Sequence, residues 1–254
     1  MHRFALLVVV LLGTLACSSP RSEADLYPGP PLVVVCDFAN PPFASREGSQ
    51  PPVGRDVEMT REIARRLGRP LVWRQLPFDA LLDTVEACEA DALVATMGVT
   101  PERAARVPFS EPYFETDVLA LVRAGEGEPT TLDELNGCSV AAGIGTTSER
   151  AVRLRLPGAV IAVASEKGDS SVERLLAGEI DAAVMDGPDA RDLADADPRL
   201  TWIGEPLAEE RYSIAVRPDD PLLLTEINAA LIALREEGYL AQLDERFGLI
   251  ASER

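Results

Sequence analysis

The sequence predicts two similar α/β lobes, each built on a central, largely parallel sheet, with two strands acting as a hinge between them. Three observations carry this prediction. The 254 residues, less an export segment, leave about 235, which is one large or two small domains at ~100–200 residues each. Val85-Glu86-Ala87-Cys88-Glu89-Ala90-Asp91-Ala92-Leu93-Val94 is echoed ninety residues later by Leu175-Leu176-Ala177-Gly178-Glu179-Ile180-Asp181-Ala182-Ala183-Val184. Each copy reads as the end of an amphipathic helix, a tight turn and an Asp-Ala entry to an apolar strand. Strand and helix patterns also alternate along both halves, the signature of βαβ units in a parallel sheet.

Residues 1–17 come before both lobes. Met1-His2-Arg3 is a basic start, Phe4–Leu12 an uninterrupted apolar run, and Gly13-Thr14-Leu15-Ala16-Cys17 a small-residue end, which together read as a signal peptide. The run spans only ~14 Å as a helix, about half the hydrocarbon core of a bilayer, so it is too short for a permanent membrane span. Ala16-Cys17-Ser18-Ser19 resembles the lipobox of bacterial lipoproteins, with Thr14 where that motif has leucine. The resemblance implies lipidation at Cys17 and a site of work in the periplasm or on the extracytoplasmic membrane face. A plain secretory signal cut near Ala16 is the alternative. Residues 18–31, rich in Ser, Pro and Gly, read as a tether.

Lobe 1 is expected to take residues 32–117 together with 217–254, and lobe 2 residues 118–216. The β-branched run Leu32–Cys36 suits a buried parallel strand, and Asp37–Pro42 breaks it into a loop. Asp56 reads as the N-cap of a helix whose apolar face is Val57, Met59, Ile63, Ala64 and Leu67; Arg65 and Arg66 suit its negative end and Gly68 closes it. Strand 71–75, helix 78–87 and strand 92–97 follow. The second lobe repeats the scheme with a short helix ending at Asn136-Gly137, strand 138–142, a helix from near Glu149, strand 159–164, a helix opened by the capping-box spacing Ser170-Ser171-Val172-Glu173, and a strand ending at Met185-Asp186. At Gly178 the repeated turn has the glycine that a left-handed C-cap favours, whereas the first copy has Cys88. Asp117–Arg123 and Tyr212–Arg217 are the expected hinge strands, and 221–247 reads as helix returning to lobe 1.

Composition removes several chemistries. A formal net charge of −18 disfavours nucleic acid as a partner, since phosphate binding needs a basic surface. His2 is the only histidine and lies in the signal peptide, which leaves the mature chain no imidazole for a triad, a proton relay or a metal. Lys167, the only lysine, falls in Glu166-Lys167-Gly168-Asp169, an exposed-turn pattern with little to recommend it as a nucleophile. Cys36, Cys88 and Cys138 are an odd set without metal-ligand spacing, able to form one bridge at most and reading as small semi-buried residues. No cofactor, metal or catalytic group is expected.

Val35-Cys36-Asp37 with Pro41-Pro42-Phe43, Val53-Gly54-Arg55-Asp56-Val57, Phe78-Asp79-Ala80-Leu81, Thr100-Pro101-Glu102-Arg103, Phe109-Ser110-Glu111-Pro112-Tyr113, Gly145-Thr146-Thr147-Ser148 and Ala183-Val184-Met185-Asp186 occur in an order and spacing that resembles the periplasmic amino-acid-binding proteins of ABC importers. The resemblance covers nearly the whole mature chain. It implies the type II periplasmic-binding-protein fold, capture of a small amino acid or related carboxylate between the lobes, and an ABC permease as partner. It also implies ligand contacts at the position of Asn40, where many relatives stack an aromatic ring, at Gly98, where a hydroxyl residue is usual, at the aromatic wall residue Phe78, and at Asp186 as counter-charge to an ammonium. Arg55 stands at a customary aromatic position, and Gly143 where some relatives have a basic residue.

Strand ends point to the same place. In open parallel sheets the crevice lies beyond the carboxyl ends of the strands, which brings Asp37, Thr96–Gly98, Gly143–Ser148 and Asp186 toward one space. Arg103, after the helix start Thr100-Pro101, offers a two-pronged contact to a carboxylate beside free backbone N–H groups, and Thr146 and Thr147 offer more donors. Taken alone, Arg103 also fits a solvated surface charge and Asp186 a turn or cap before Pro188. Two rival functions stay open: an enzyme resembling cyclohexadienyl dehydratase, with Glu149 as general acid, and a ligand-sensing subunit of a membrane receptor. Glu149 equally suits the first turn of a helix, where acids are favoured.

Overall fold

The computed structural model describes residues 27–162 and 170–249. Cys17 and Lys167, and residues 163 and 164 of one expected strand, lie outside them. Two large sheets form, beside a small ribbon of β2 (Ala39–Asn40) and β3 (Ala44–Ser45). The first has the order β12-β5-β1-β4, with β1 (Leu32–Cys36) between β4 (Leu71–Gln75) and β5 (Ala92–Leu93), parallel to both, and β12 (Ala215–Val216) antiparallel to β5. The side chains of β1 alternate between two cores, which is why the run is apolar throughout. Leu32 and Val34 pack with Met59 and Ile63 of α1 (Arg55–Arg66) and with Ile227 and Leu231 of α7 (Pro221–Glu236). Val35 packs with Leu81 and Val85 of α2 (Phe78–Glu86) on the other face.

The second sheet has the order β10-β6-β9-β7-β8, with β11 (Ala208–Tyr212) also pairing β6. Strands β7 (Ser139–Ala142), β8 (Val160–Ala162) and β9 (Ala182–Asp186) are parallel, and the long β6 (Phe114–Arg123) runs antiparallel to β9, β10 (Leu200–Trp202) and β11. Ala151 and Val152 of α4 (Thr147–Arg155) cover one face; Leu175 of α5 (Ser171–Leu176) and Ala190 of α6 (Gly187–Ala196) cover the other. Ser170 and Glu173 make the expected capping box. The C-terminal helices α7 and α8 (Tyr239–Arg246) return to α1, where Arg66 bridges to Glu237.

Two passages join the sheets side by side. Ser110 donates its N–H to the Ile214 carbonyl (2.8 Å) and Tyr113 to that of Tyr212 (2.9 Å). Residues 117–123, read as hinge, lie inside the second sheet, and the first crossing comes earlier, between Phe109 and Phe114.

Three local readings need correction. Asp56 is not the N-cap: the helix begins at Arg55 after Gly54, whose φ of +135° suits only glycine and whose added Cβ would meet the Phe43 carbonyl at 2.2 Å. Asp56 is instead fully buried, accepting from the Tyr113 hydroxyl at 2.6 Å beside the Arg55 guanidinium, because an acid without water must find donors inside. The strand expected over 92–97 stops at Leu93, and Thr96 takes a φ of +45° that turns the chain toward the second sheet. The helix expected from near Glu149 starts two residues earlier, with Thr146 as N-cap.

Candidate functional site

The loops leaving the carboxyl ends of β1, β5, β7 and β9 enclose a cavity of about 360 Å³, within the ~300–1,000 Å³ usual for small-molecule sites. Asp37, Asn40, Phe78, Thr96, Gly98 and Arg103 line it from the first lobe, and Thr146, Thr147 and Asp186 from the second. All nine residues singled out from the sequence therefore meet in one space. Two larger hollows of about 790 Å³ each run along the hinge strands, one holding the Arg191–Asp117 ion pair; neither gathers the parallel strand ends.

Arg103 spans the cavity. It sits on α3 (Pro101–Ala104), whose N-cap Thr100 accepts the Arg103 N–H through its hydroxyl (3.2 Å). Its Nη1 donates to the Gly98 carbonyl at 2.6 Å and its Nη2 to the Gly145 carbonyl of the other lobe at 3.0 Å. The guanidinium carbon lies 5.8 Å from the centre of the Phe78 ring. The backbone donors expected at this helix start do not materialise, since four residues make little dipole and Thr100 already takes one N–H. Attraction for an anion rests on the guanidinium itself. Across the cavity, α4 is long enough to leave first-turn amides without intrahelical partners, and Thr147 and Ser148 of that turn both line the wall. The Thr146 hydroxyl is occupied, donating to the Gly143 carbonyl at 2.6 Å and capping Glu149.

Asp186 ends β9 at the N-cap position of α6 but makes no side-chain cap bond. Its Oδ2 accepts instead from the Tyr212 hydroxyl. Burial pushes its carboxyl above the ordinary value, opposed by the bond from Tyr212. Burial likewise raises Asp37, whose Oδ1 accepts weakly from the Ala39 amide at 3.5 Å. Asn40, in place of an aromatic wall, donates to the Thr96 hydroxyl at 2.9 Å and is tied to the residue that carries the kink.

Two acids at this site escaped the sequence reading. Asp189 of α6 lines the cavity, raised to about 7 by burial and by the charges of Asp186 and Asp192. Glu210 of β11, only 5% exposed, does not line the cavity but stands behind it, its carboxylate against Gly98 and Thr147, borders the two hinge-side hollows, and is raised to about 7 by burial and by Asp186. The available signal was a charged residue two before Tyr212, hence on the inward face of a hinge strand. Glu149 goes the other way. It does not line the cavity; its Oε2 accepts the Gly145 amide at 2.8 Å and its Oε1 pairs with Arg153 at 2.6 Å, which hold it below the ordinary carboxylate value. A general acid needs the opposite shift, so this residue lacks the property on which the dehydratase reading depended. Arg55 is also away from the cavity, buried between Asp56, Asp244 and the Tyr113 carbonyl. Among the described residues Cys36, Cys88 and Cys138 are free, no group of side chains is arranged to hold a metal ion, and no helix is long and apolar enough to cross a membrane.

Comparison with known proteins agrees with this geometry. The family model of bacterial extracellular solute-binding proteins, family 3, matches residues 32–250. The chain is 31% identical over 228 residues to the probable ABC transporter arginine-binding protein ArtJ of Chlamydia trachomatis, covering 86% of each chain. It is 27% identical over 253 residues to the L-cystine-binding protein TcyJ of Escherichia coli, covering 96% of this chain and 95% of that one. Among solved structures, an ancestral arginine-binding protein bound to arginine superposes with a TM-score of 0.75 at 29% identity, over 85% of this chain and 97% of that one. All three are named as binding proteins.

Proposed function

The chain belongs to family 3 of the bacterial extracellular solute-binding proteins, and on that premise we propose that it is the solute-binding lipoprotein of an ABC importer, capturing an amino acid or related small carboxylate between its lobes and delivering it to a membrane permease. The observation that carries this reading is the pairing of opposite charges across one cavity, Arg103 from the first lobe and Asp186 from the second. The ligand carboxylate sits on the Arg103 guanidinium and the first-turn amides of α4, and its ammonium faces Asp186. Phe78 supplies an apolar wall. Lobe 1 is taken as residues 32–117 with 217–254 and lobe 2 as 118–216; two lobes are supported by the two sheets and by the return of α7 and α8 to α1, with the crossings a few residues earlier on each passage, since β6 joins the second sheet at Phe114 and β12 pairs in the first. A ligand that touches both lobes stabilises the closed arrangement over the open one.

Calorimetric titration of residues 18–254 against the common amino acids tests the site. A hydrogen bond to a charged group contributes ~1.5–3 kcal/mol, so Arg103→Ala weakens the best ligand by about ten- to hundredfold, and Asp186→Asn weakens amino ligands in particular. Tight binding that survives Arg103→Ala unchanged places the carboxylate elsewhere. Anchoring through Cys17 is tested by membrane fractionation of Cys17→Ser, which is expected to leave the membrane fraction or to remain unprocessed; unchanged fractionation argues for a plain secretory signal.

A further inference from the structure

We propose that Glu210 is a ligand-binding residue, replacing the side chain that Gly98 lacks and forming with Asp186 a two-carboxylate seat for a primary ammonium, so that the cleft takes α-amino acids of neutral or positive overall charge. This rests on reading the cleft as a solute site. The steric relation between the two positions comes first. A Cβ built on Gly98 would stand 2.0 Å from Oε1 of Glu210 and 2.9 Å from Cγ2 of Thr147. The space that a side chain at 98 would fill is therefore taken by a carboxylate from the hinge strand, which stands directly behind Gly98 and Thr147 of the cavity wall and also borders the two hinge-side hollows.

That carboxylate is incompletely satisfied. Oε1 accepts from the Thr147 hydroxyl, while Oε2 is buried without a hydrogen-bond partner. Its neighbour Asp186 is another acid, able to satisfy Oε2 only when one of the pair holds a proton. The nearest cation, Arg103, directs its two hydrogen bonds to the carbonyls of Gly98 and Gly145 and not to either acid, which leaves its remaining N–H donors for the ligand carboxylate. Leaving a buried carboxylate oxygen unpaired is costly, and an ammonium with three N–H donors can serve Glu210 and Asp186 together. A 2-oxo or 2-hydroxy acid brings no cation to this pair. Asp37 and Asp189 add further negative charge around the same cavity, which repels a ligand bearing a second carboxylate.

The pair also couples binding to pH. Glu210 faces Asp186 at the end of β9, Arg103 on α3, Thr147 on α4 and Tyr212 on its own strand, and Asp189 on α6 acts on Tyr212. It receives the ammonium as the ionised form and holds a proton below about 7, so affinity is full above that value and falls as the pH drops through it.

The test is calorimetry with arginine, lysine, glutamine, glutamate and 2-oxoglutarate on the wild type, Glu210→Gln, Gly98→Ser and the double variant Gly98→Ser/Glu210→Ala, each first shown to be folded by circular dichroism. Glu210→Gln is expected to weaken the best amino acid about tenfold or more and to flatten the rise in affinity between pH 6 and 7.5. Gly98→Ser alone loses binding because its side chain meets Glu210, and the double variant recovers part of it. Glutamate and 2-oxoglutarate bind weakest. Wild-type affinity and an unchanged pH profile in Glu210→Gln would overturn the role of Glu210 while leaving the solute-binding reading intact. Tight binding of 2-oxoglutarate would overturn the ammonium seat, and absence of binding by every compound to the wild type would overturn both readings together.

Discussion

Arg55 is one of the largest side chains buried completely among the described residues, and it is held there by charge. Its Nε donates to Asp244 at 2.8 Å and its Nη2 to the Tyr113 carbonyl at 3.1 Å, and Asp56 beside it takes the Tyr113 hydroxyl. Removing one member of such a group strands a charge in a dry interior, at ~3–5 kcal/mol. Arg55→Ala is therefore expected to lower the denaturation midpoint by about that free energy, while the folded fraction keeps its ligand affinity because Arg55 does not line the cavity. Denaturant melts with a parallel titration check this, and an unaltered midpoint contradicts it. The same group marks what single residues conceal. Asp56 has an excellent cap pattern in sequence, yet its partner Tyr113 and its neighbour's partner Asp244 arrive from distant segments. Glu210 and Asp189 escaped for a related reason: a charge in a strand or early helix reads as solvated until the opposite lobe is folded against it. Asp37, Arg103 and Asp186 were legible because strand ends and helix starts are local signals that point in a known direction.

The repeated helix-turn-strand unit is where elements were easiest to read. Both copies fold as the echo implied, and both turn residues are left-handed, Cys88 with φ +59° and Gly178 with φ +73°. Cysteine carries a Cβ that crowds the following carbonyl in this conformation, a cost of ~1–2 kcal/mol that glycine avoids. Cys88→Gly should accordingly raise stability by about 1 kcal/mol, and Gly178→Ala should lower it by a similar amount; a fall in thermal midpoint for Cys88→Gly would show that the thiol contributes more than its backbone costs. Elements were harder to read where an apolar run does not continue its ladder. Val94, Ala95 and Met97 stay buried after β5 has ended, with single bonds from Val94 to the Val35 carbonyl and from Ser213 to the Met97 carbonyl in place of a continued ladder, and in sequence this looks just like strand. That early ending is functional in consequence, since it is how Thr96 and Gly98 reach the cavity.

At the scale of the whole chain, one cavity collects charge of both signs from two lobes joined by two adjacent strand passages. Lobe duplication was visible because helix and strand periods are repeated in the sequence. The hinge position was misread by several residues because the apolar part of β6, Val118–Val122, is a central strand of the second sheet, while the crossing itself falls before it, between Phe109 and Phe114. The bridge from Arg103 to the Gly145 carbonyl already links the lobes, so a ligand that engages Arg103 and Asp186 together holds them at a defined separation. Small-angle X-ray scattering of residues 18–254, with and without the saturating amino acid identified by calorimetry, measures that directly. The account predicts a smaller radius of gyration with ligand for the wild type and no contraction for Arg103→Ala at the same ligand concentration. Superimposable curves for a wild-type protein shown by calorimetry to be saturated would contradict the claim that the solute is held between the lobes.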